Sequence, residues 1–283
     1  MPKRTDVLLL ALAVSLSFGA AKLQAQTYKT IDVPNAIETD CNDVNTNTIV
    51  GSYVDTSIIN HAFTYTGGTF TTLDFPGSTG TFGYGINSSN QVVGWYFDSL
   101  GATHGYMYSS GTYTSLDPPG ATLTNAWSIN NAGEIVGAYT DSSGVYHGFD
   151  LQGSTYTTYD APSSILTEFT GLNNKGFKVG IFDDQNGVEH GFALVNNHFT
   201  QIDFPGSAVT AADRISDHEA VVGLYGSSSS GPFSGYIYEN RSFHTIMYPG
   251  STETRTRGLN SSNAAVGRYT DSSGVIHGYV VTK

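Results

Sequence analysis

A glycine followed two residues later by an aromatic recurs six times, at Gly51/Tyr53, Gly94/Tyr96, Gly137/Tyr139, Gly180/Phe182, Gly223/Tyr225 and Gly267/Tyr269. Successive glycines are 43 residues apart, with 44 at the last step. A fixed period of this length confines the chain to repeat architectures, in which each unit buries its apolar surface only against its neighbours. Two further tracks keep the same register. His61, His104, His147, His190 and His277 each precede Gly or Ala and then an aromatic, with Ser234 standing in the fifth unit. The third track places an acid after an apolar or aromatic residue and Pro two positions later: Asp32/Pro34, Asp74/Pro76, Asp117/Pro119, Asp160/Pro162 and Asp203/Pro205, with Met247/Pro249 lacking the acid.

Each unit predicts four short strands, in the third unit at 124–130, 134–141, 146–151 and 156–160, separated by Gly, Asn, Ser and Pro turns. No helical period is present after residue 25. Four strands in 43 residues match a propeller blade rather than a solenoid rung, and six such units fill residues 26–283 as a single domain. The last unit stops at Val280-Val281-Thr282-Lys283 without a fourth strand, whereas residues 28–34 carry the fourth-strand pattern. The expected fold is therefore all-β, a six-bladed β-propeller-like ring whose N-terminal strand completes the last blade. Closure of this kind removes exposed strand edges.

Residues 1–25 read as a signal peptide, with basic Lys3 and Arg4, an apolar run from Val7 to Phe18, and small residues before a cut after Ala25. The run is too short for a convincing transmembrane span, so a soluble product is expected, secreted, periplasmic or at the cell surface. The remaining chain keeps 9 basic and 23 acidic residues. That balance and the lack of any basic run argue against nucleic acid and anionic lipid as partners. Cys41 is the only cysteine, which rules out an intramolecular disulfide and a cysteine-based metal cluster. A monomer is expected.

His61-Ala62-Phe63, with the recurring Gly85-Ile86-Asn87 and Val92-Val93-Gly94, resembles the bacterial extracellular HAF-repeat family. The resemblance spans the chain after residue 25. Most units have Gly in place of the Ala, as in His104-Gly105-Tyr106, which marks a variant of the family pattern. It implies an exported repeat protein and carries over no activity.

Five units place Asp six residues before the tracked His: Asp55/His61, Asp98/His104, Asp141/His147, Asp184/His190 and Asp271/His277. The fifth unit has Ser227 and Ser234 instead, the joint loss expected of a contacting pair. Metal binding or acid/base catalysis could use such pairs. Five copies fit structural hydrogen bonds inside each unit better than one catalytic site. The aromatic tracks Tyr53, Tyr96, Tyr139; Phe63, Tyr106, Phe149; and Tyr28, Phe70, Tyr113 are expected in the core. Asp141 to Gly144 and Asp271 to Gly274 read as ordinary turns rather than calcium loops, and Asp-x-Pro-Gly as a turn device. His198, His218 and His244 fall outside the track and are expected to be surface or strand residues.

If repeated residues build the ring, function lies in what differs between units, above all on the first strand, which faces the central channel. Thr39, Thr81, Thr124, Thr167, Thr210 and Thr254 anchor that strand. The first and third residues after each are Asp40/Asn42, Phe82/Tyr84, Asn125/Trp127, Glu168/Thr170, Ala211/Asp213 and Arg255/Arg257. Tyr84 and Trp127 offer stacking platforms, Asp40, Glu168 and Asp213 carboxylates, and Arg255 and Arg257 cations, the mixture that a sugar or polar small-molecule pocket uses. No nucleophile elbow, zinc-binding helix or phosphate loop is present, and no cofactor or metal is implied. The favoured reading is a non-catalytic binding or interaction protein, with a glycan or polar envelope component as ligand. The alternatives are a carbohydrate-active enzyme using two of Asp40, Glu168 and Asp213, and a purely structural envelope protein.

Overall fold

The computed structural model describes residues 26–262 and 264–282, and the leader expected at 1–25 lies outside them. Every helix or strand among the described residues is a strand. The chain opens with β1 (Thr27–Ile31), then β2 (Glu38–Val44), β3 (Thr48–Val54), β4 (Asn60–Thr66) and β5 (Thr69–Thr72). The second unit holds β6 (Gly80–Ile86), β7 (Val92–Phe97), β8 (Thr103–Ser109) and β9 (Thr112–Leu116). The third holds β10 (Leu123–Ile129), β11 (Ile135–Thr140), β12 (Tyr146–Gln152) and β13 (Thr155–Tyr159). The fourth holds β14 (Leu166–Leu172), β15 (Lys178–Asp183), β16 (Glu189–Val195) and β17 (His198–Ile202). The fifth holds β18 (Val209–Ile215), β19 (Val221–Gly226), β20 (Phe233–Glu239) and β21 (Ser242–Ile246). β22 (Glu253–Leu259), β23 (Ala265–Thr270) and β24 (Ile276–Thr282) end the chain.

Units two to five each form a separate four-stranded sheet in chain order. The first and last units differ from the expectation of six separate sheets, since their eight strands run on as one. The join is a single parallel partner pair, Glu38 with Ile276, where β24 comes alongside β2. β1 pairs antiparallel with β24 from Thr27/Thr282 to Ile31/Gly278, so the N-terminal strand takes the outer place that β5, β9, β13, β17 and β21 hold in the other units. The first strands β2, β6, β10, β14, β18 and β22 touch one another in a closed cycle, β22 returning to β2.

The glycine track has a steric cause. In every unit the first strand carries a β-bulge at the third residue after the anchoring Thr: Asn42, Tyr84, Trp127, Thr170, Asp213 and Arg257. The tracked glycine pairs beside that bulge, as Gly51 does with Cys41. A Cβ on Gly51 would collide with the Asp40 carbonyl and press on the Phe63 ring. A second close approach lies at the seam, where a Cβ on Gly258 would stand 2.6 Å from Asp43 Cα.

Asparagines tie the units together on one side of the ring. Asn45 Nδ2 donates to Asn87 O at 2.9 Å, Asn87 to Asn130 O at 3.1 Å, Asn130 to Asn173 O at 3.4 Å, and Asn173 to Ser216 O at 3.0 Å. Asn260 closes the circle on Asn45 O at 3.0 Å. Ser216 stands at the remaining position, and its side chain is too short to make the corresponding bond.

The core lies between neighbouring sheets. Val93 and Leu116 of the second unit pack with Ala126, Ile129 and Phe149 of the third, and at the seam Ile31, Cys41 and Phe63 pack with Val266. The third-strand aromatics, Phe63, Tyr106, Phe149, Phe192, Tyr236 and Tyr279, are wholly buried. Each such side chain contributes on the order of 2–3 kcal/mol of transfer free energy. Tyr96 is also buried, whereas Tyr53, Tyr139, Tyr28, Phe70 and Tyr113 are half-buried.

Candidate functional site

A buried ion pair lies where the first strands meet, and two cavities lie among those strands. Arg214, on β18, points its guanidinium across the axis, where Nη1 donates to Thr170 O at 2.8 Å and Trp127 O at 3.3 Å, and Nη2 to Tyr84 O at 3.0 Å. Its Nε lies 3.3 Å from Asp43 Oδ1 on β2, and Asp43 Oδ2 accepts from Ile86 N at 3.2 Å. Five of the six first strands thus meet at one buried cation. Arg214 and Asp43 occupy the fourth position after the anchoring Thr, which strict alternation assigns to the other face of the strand. The bulge at the third position breaks that alternation. The sequence reading leaves both residues out for this reason.

On one side of the pair, a cavity of about 150 Å³ is lined by Asp43, Arg214 and the asparagine circle. A second cavity, of about 370 Å³, is lined by Trp127, Glu168, Asp213, Arg255 and Arg257, together with Asp183 and Glu189. Five of the seven residues singled out in the sequence therefore share one wall system. Asp40 and Tyr84 line a smaller recess of about 60 Å³. Asp40 is committed to Arg268 Nη1 at 3.0 Å, and the Tyr84 ring stands edge-on to Trp127 with centroids 4.4 Å apart. Trp95, missed by the first-strand reading, stacks on Phe82 at 3.7 Å. It follows the tracked glycine on the second strand, as do Ile181 and Leu224 in the larger cavity and Arg268 beside Asp40. This position varies between units as much as the first strand does and is the signal that could have found them.

Polar groups in the larger cavity are incompletely satisfied. Asp213 Oδ2 and Arg257 Nε are buried and complete no hydrogen bond with protein atoms, and Trp127 Nε1, also buried, is directed at the Glu168 carboxyl. Buried polar atoms usually have partners, so two exceptions around one cavity suit contacts to a polar guest. Burial pushes the Glu168 carboxyl up to about 7, aided by Glu189 and Asp183, and burial with Asp213 and Asp183 does the same for Glu189, also to about 7. Asp213 is raised by burial as well, against the opposing pull of Arg257, Arg214 and Arg255. Burial disfavours the Arg257 cation, but Tyr84, Asp40 and Asp213 outweigh it and hold its pKa above the usual guanidinium value.

The tracked histidines sit on the hairpins, partly exposed, each between two carboxylates. His61 Nε2 lies 3.5 Å from Asp55, and its Nδ1 lies closer, 2.8 Å, to Asp74. The same arrangement holds at His104 with Asp98 and Asp117, His147 with Asp141 and Asp160, His190 with Asp184 and Asp203, and His277 with Asp271 and Asp32. The nearer partner in every case is the acid of the Asp-x-Pro track, which the sequence reading treats only as part of a turn. In the fifth unit Ser227, Ser234 and Met247 replace all three members together. The stray His198, His218 and His244 are exposed.

No family model matches the chain, and no curated protein matches it. Among solved structures it is similar to AofleA from Arthrobotrys oligospora, with a TM-score of 0.57 and 10% identity over 90% of this chain and 86% of that one. It is also similar to Aleuria aurantia lectin, a fungal lectin with a six-bladed β-propeller fold and a fucose recognition mode, at TM-score 0.53 and 10% identity over 89% and 93% of the two chains. TolB from Acinetobacter baumannii gives TM-score 0.59 and 13% identity over 84% of this chain and 64% of that one. At these identities the likeness speaks to architecture, and with the closed cycle of first strands it establishes that the chain is an all-β protein with a β-propeller fold.

Proposed function

We propose that the protein is an exported, non-catalytic binding module on a ring of six four-stranded blades, with the larger cavity as its ligand site. The blade count is supported by the cycle of six first strands, by the asparagine circle, and by the single partner pair that links the first and last units. Export to the periplasm, cell surface or medium rests on residues 1–25, and membership of the HAF-repeat family on the repeated motifs.

The ligand class we favour is a glycan or another polar component of the cell envelope. The observation that carries this reading is the coincidence of Trp127, an aromatic platform, with buried unpartnered polar atoms on Asp213 and Arg257 around about 370 Å³ of space. That Aleuria aurantia lectin recognises fucose on a related fold supports carbohydrate as a class. A glycan array and thermal-shift screen on wild type and Trp127→Ala tests the reading, since binding to the folded state raises its apparent stability. A hit lost in a folded Trp127→Ala supports it. A hit that survives moves the site elsewhere, and silence across the array favours a purely structural envelope role.

One observation favours a catalytic alternative. Glu168 and Asp213 line the same cavity, and a carboxyl near 7 suits a general acid. Asp40 drops out of the carboxylate pair because it lies in the separate recess and is paired with Arg268. Cleavage of a bound glycan by wild type and not by Glu168→Gln would establish the enzyme.

A further inference from the structure

We propose that the larger cavity takes a sugar bearing a free ammonium group, its nitrogen held between Glu168 and Glu189 and its ring against Trp127. The inference rests on the reading of this cavity as a ligand site and narrows its chemistry.

Four strands bring carboxylates to the cavity: Glu168 on β14, Asp183 on β15, Glu189 on β16 and Asp213 on β18. Among the described residues, none of these carboxylates makes a salt bridge, and their one side-chain hydrogen bond runs from Trp127 to Glu168. The cations nearby balance them only in part, Arg257, Arg214 and Arg255 favouring the ionised form of Asp213 and Arg255 that of Glu189. Arg255 is taken up by Glu253, with Nε 2.6 Å from Oε1, and lies over the Phe233 ring at 4.6 Å. Arg257 is the one lining cation without such a partner. Like charges in a space of low polarisability repel strongly, and a guest cation relieves that repulsion where a neutral sugar cannot.

The cavity offers what an ammonium needs. The group has three donors and no acceptor, which matches carboxylates that burial keeps partly protonated and that a guest cation returns to the ionised form. Trp127 adds an aromatic surface suited to both a sugar face and a cation. Independently of the acids, Arg257 Nε is a buried donor without a partner, available to a hydroxyl oxygen of the same guest. A bare metal ion fits less well, because no three His, Cys, Asp or Glu side chains among the described residues converge as a ligand set.

The test is calorimetry and thermal shift with three disaccharides that differ at nitrogen: deacetylated chitobiose, chitobiose and cellobiose, with calcium chloride alone as a fourth probe. The expected result is that deacetylated chitobiose binds at least tenfold more tightly than the other two sugars, and that Glu168→Gln with Glu189→Gln abolishes this preference in a folded protein. Equal binding of the three sugars overturns the ammonium assignment and leaves the glycan site standing. A preference that survives in the double variant places the amine on the general acidic surface and overturns the assignment. Calcium acting as strongly as the amine does so as well, and no binding of any of the three sugars overturns the amino-sugar assignment, while the wider glycan reading falls only with silence across the array.

Discussion

Pro118 stands six residues before Thr124 and leaves that threonine's hydroxyl buried without a hydrogen-bond partner. In the other units the corresponding residue donates its backbone N–H to the anchoring hydroxyl, from Val33 to Thr39, Phe75 to Thr81, Ala161 to Thr167, Phe204 to Thr210 and Tyr248 to Thr254, at 2.9–3.1 Å. Proline has no N–H to give. Ala121 also replaces the serine that supplies a second partner at Ser78, Ser164, Ser207 and Ser251. The same substitution should therefore change sign between units. Thr124→Val removes an unsatisfied hydroxyl and is expected to stabilise by about 1 kcal/mol, whereas Thr210→Val strands the Phe204 N–H and costs about 1–3 kcal/mol. Urea unfolding of the two variants checks both signs.

The Arg214–Asp43 pair gives a second prediction, because its side chains are only 6% and 8% exposed. Removing one member of a buried pair leaves the other charge without compensation, at a cost of about 3–5 kcal/mol. Arg214→Met is expected to fall in that range, since three backbone carbonyls lose their donor as well. Asp43→Leu alone should be comparably harmful. The double variant should lose clearly less than the two singles added together, and a cycle of the four proteins by denaturant unfolding measures that coupling.

Ile58 has a left-handed backbone, with φ of 64°, in the turn position where Gly101, Gly144, Gly187 and Gly274 serve the other units. A branched side chain at such φ costs roughly 1–2 kcal/mol, and this one is exposed and buries little in return. Ile58→Gly should stabilise by about 1 kcal/mol once the added freedom of glycine in the unfolded chain is subtracted. Unchanged or lower stability would mean that the isoleucine makes a compensating contact.

What could be read from the sequence divides along the same lines. Residues with one job in every unit repeat visibly: Thr124 and its equivalents anchor the first strand, Gly51 and its equivalents admit the bulge, and His61 with Asp55 marks the hairpin. Their spacing exposes the ring. The bulge itself has no residue of its own, since Asn42, Tyr84 and Asp213 share no chemistry. Alternation counted from Thr210 therefore reaches Asp213 and passes over Arg214. The closer acid of each histidine was hidden differently, being thirteen residues away just past the end of the next strand, and for His277 at Asp32, near the other end of the chain.

The carboxylates make stability depend on pH in two opposite ways. Glu168 and Glu189 have folded pKa values of about 7, above the ordinary 4.5, so the folded state binds more protons than the unfolded one between these values. Stability from this source is complete below about 4.5 and falls as pH rises to about 7. The turn aspartates behave in reverse. Backbone and side-chain hydrogen bonds lower Asp55, Asp98, Asp141 and Asp184, and a bond from Ser273 leads in taking Asp271 down to about 2. Their contribution is present above the ordinary 3.8 and is lost as pH falls towards 2. With these two sets acting, the melting temperature is expected to peak near pH 4–5. Glu168→Gln separates them, because a neutral amide removes the cost of a buried charge only where the acid would ionise. The variant should melt higher than wild type at pH 8, with a gain on the order of 3 kcal/mol as an upper bound, and show little or no gain at pH 4.5. A gain of equal size at both pH values would trace the effect to packing instead of charge, and Glu168 would then not be the source of the neutral-pH slope.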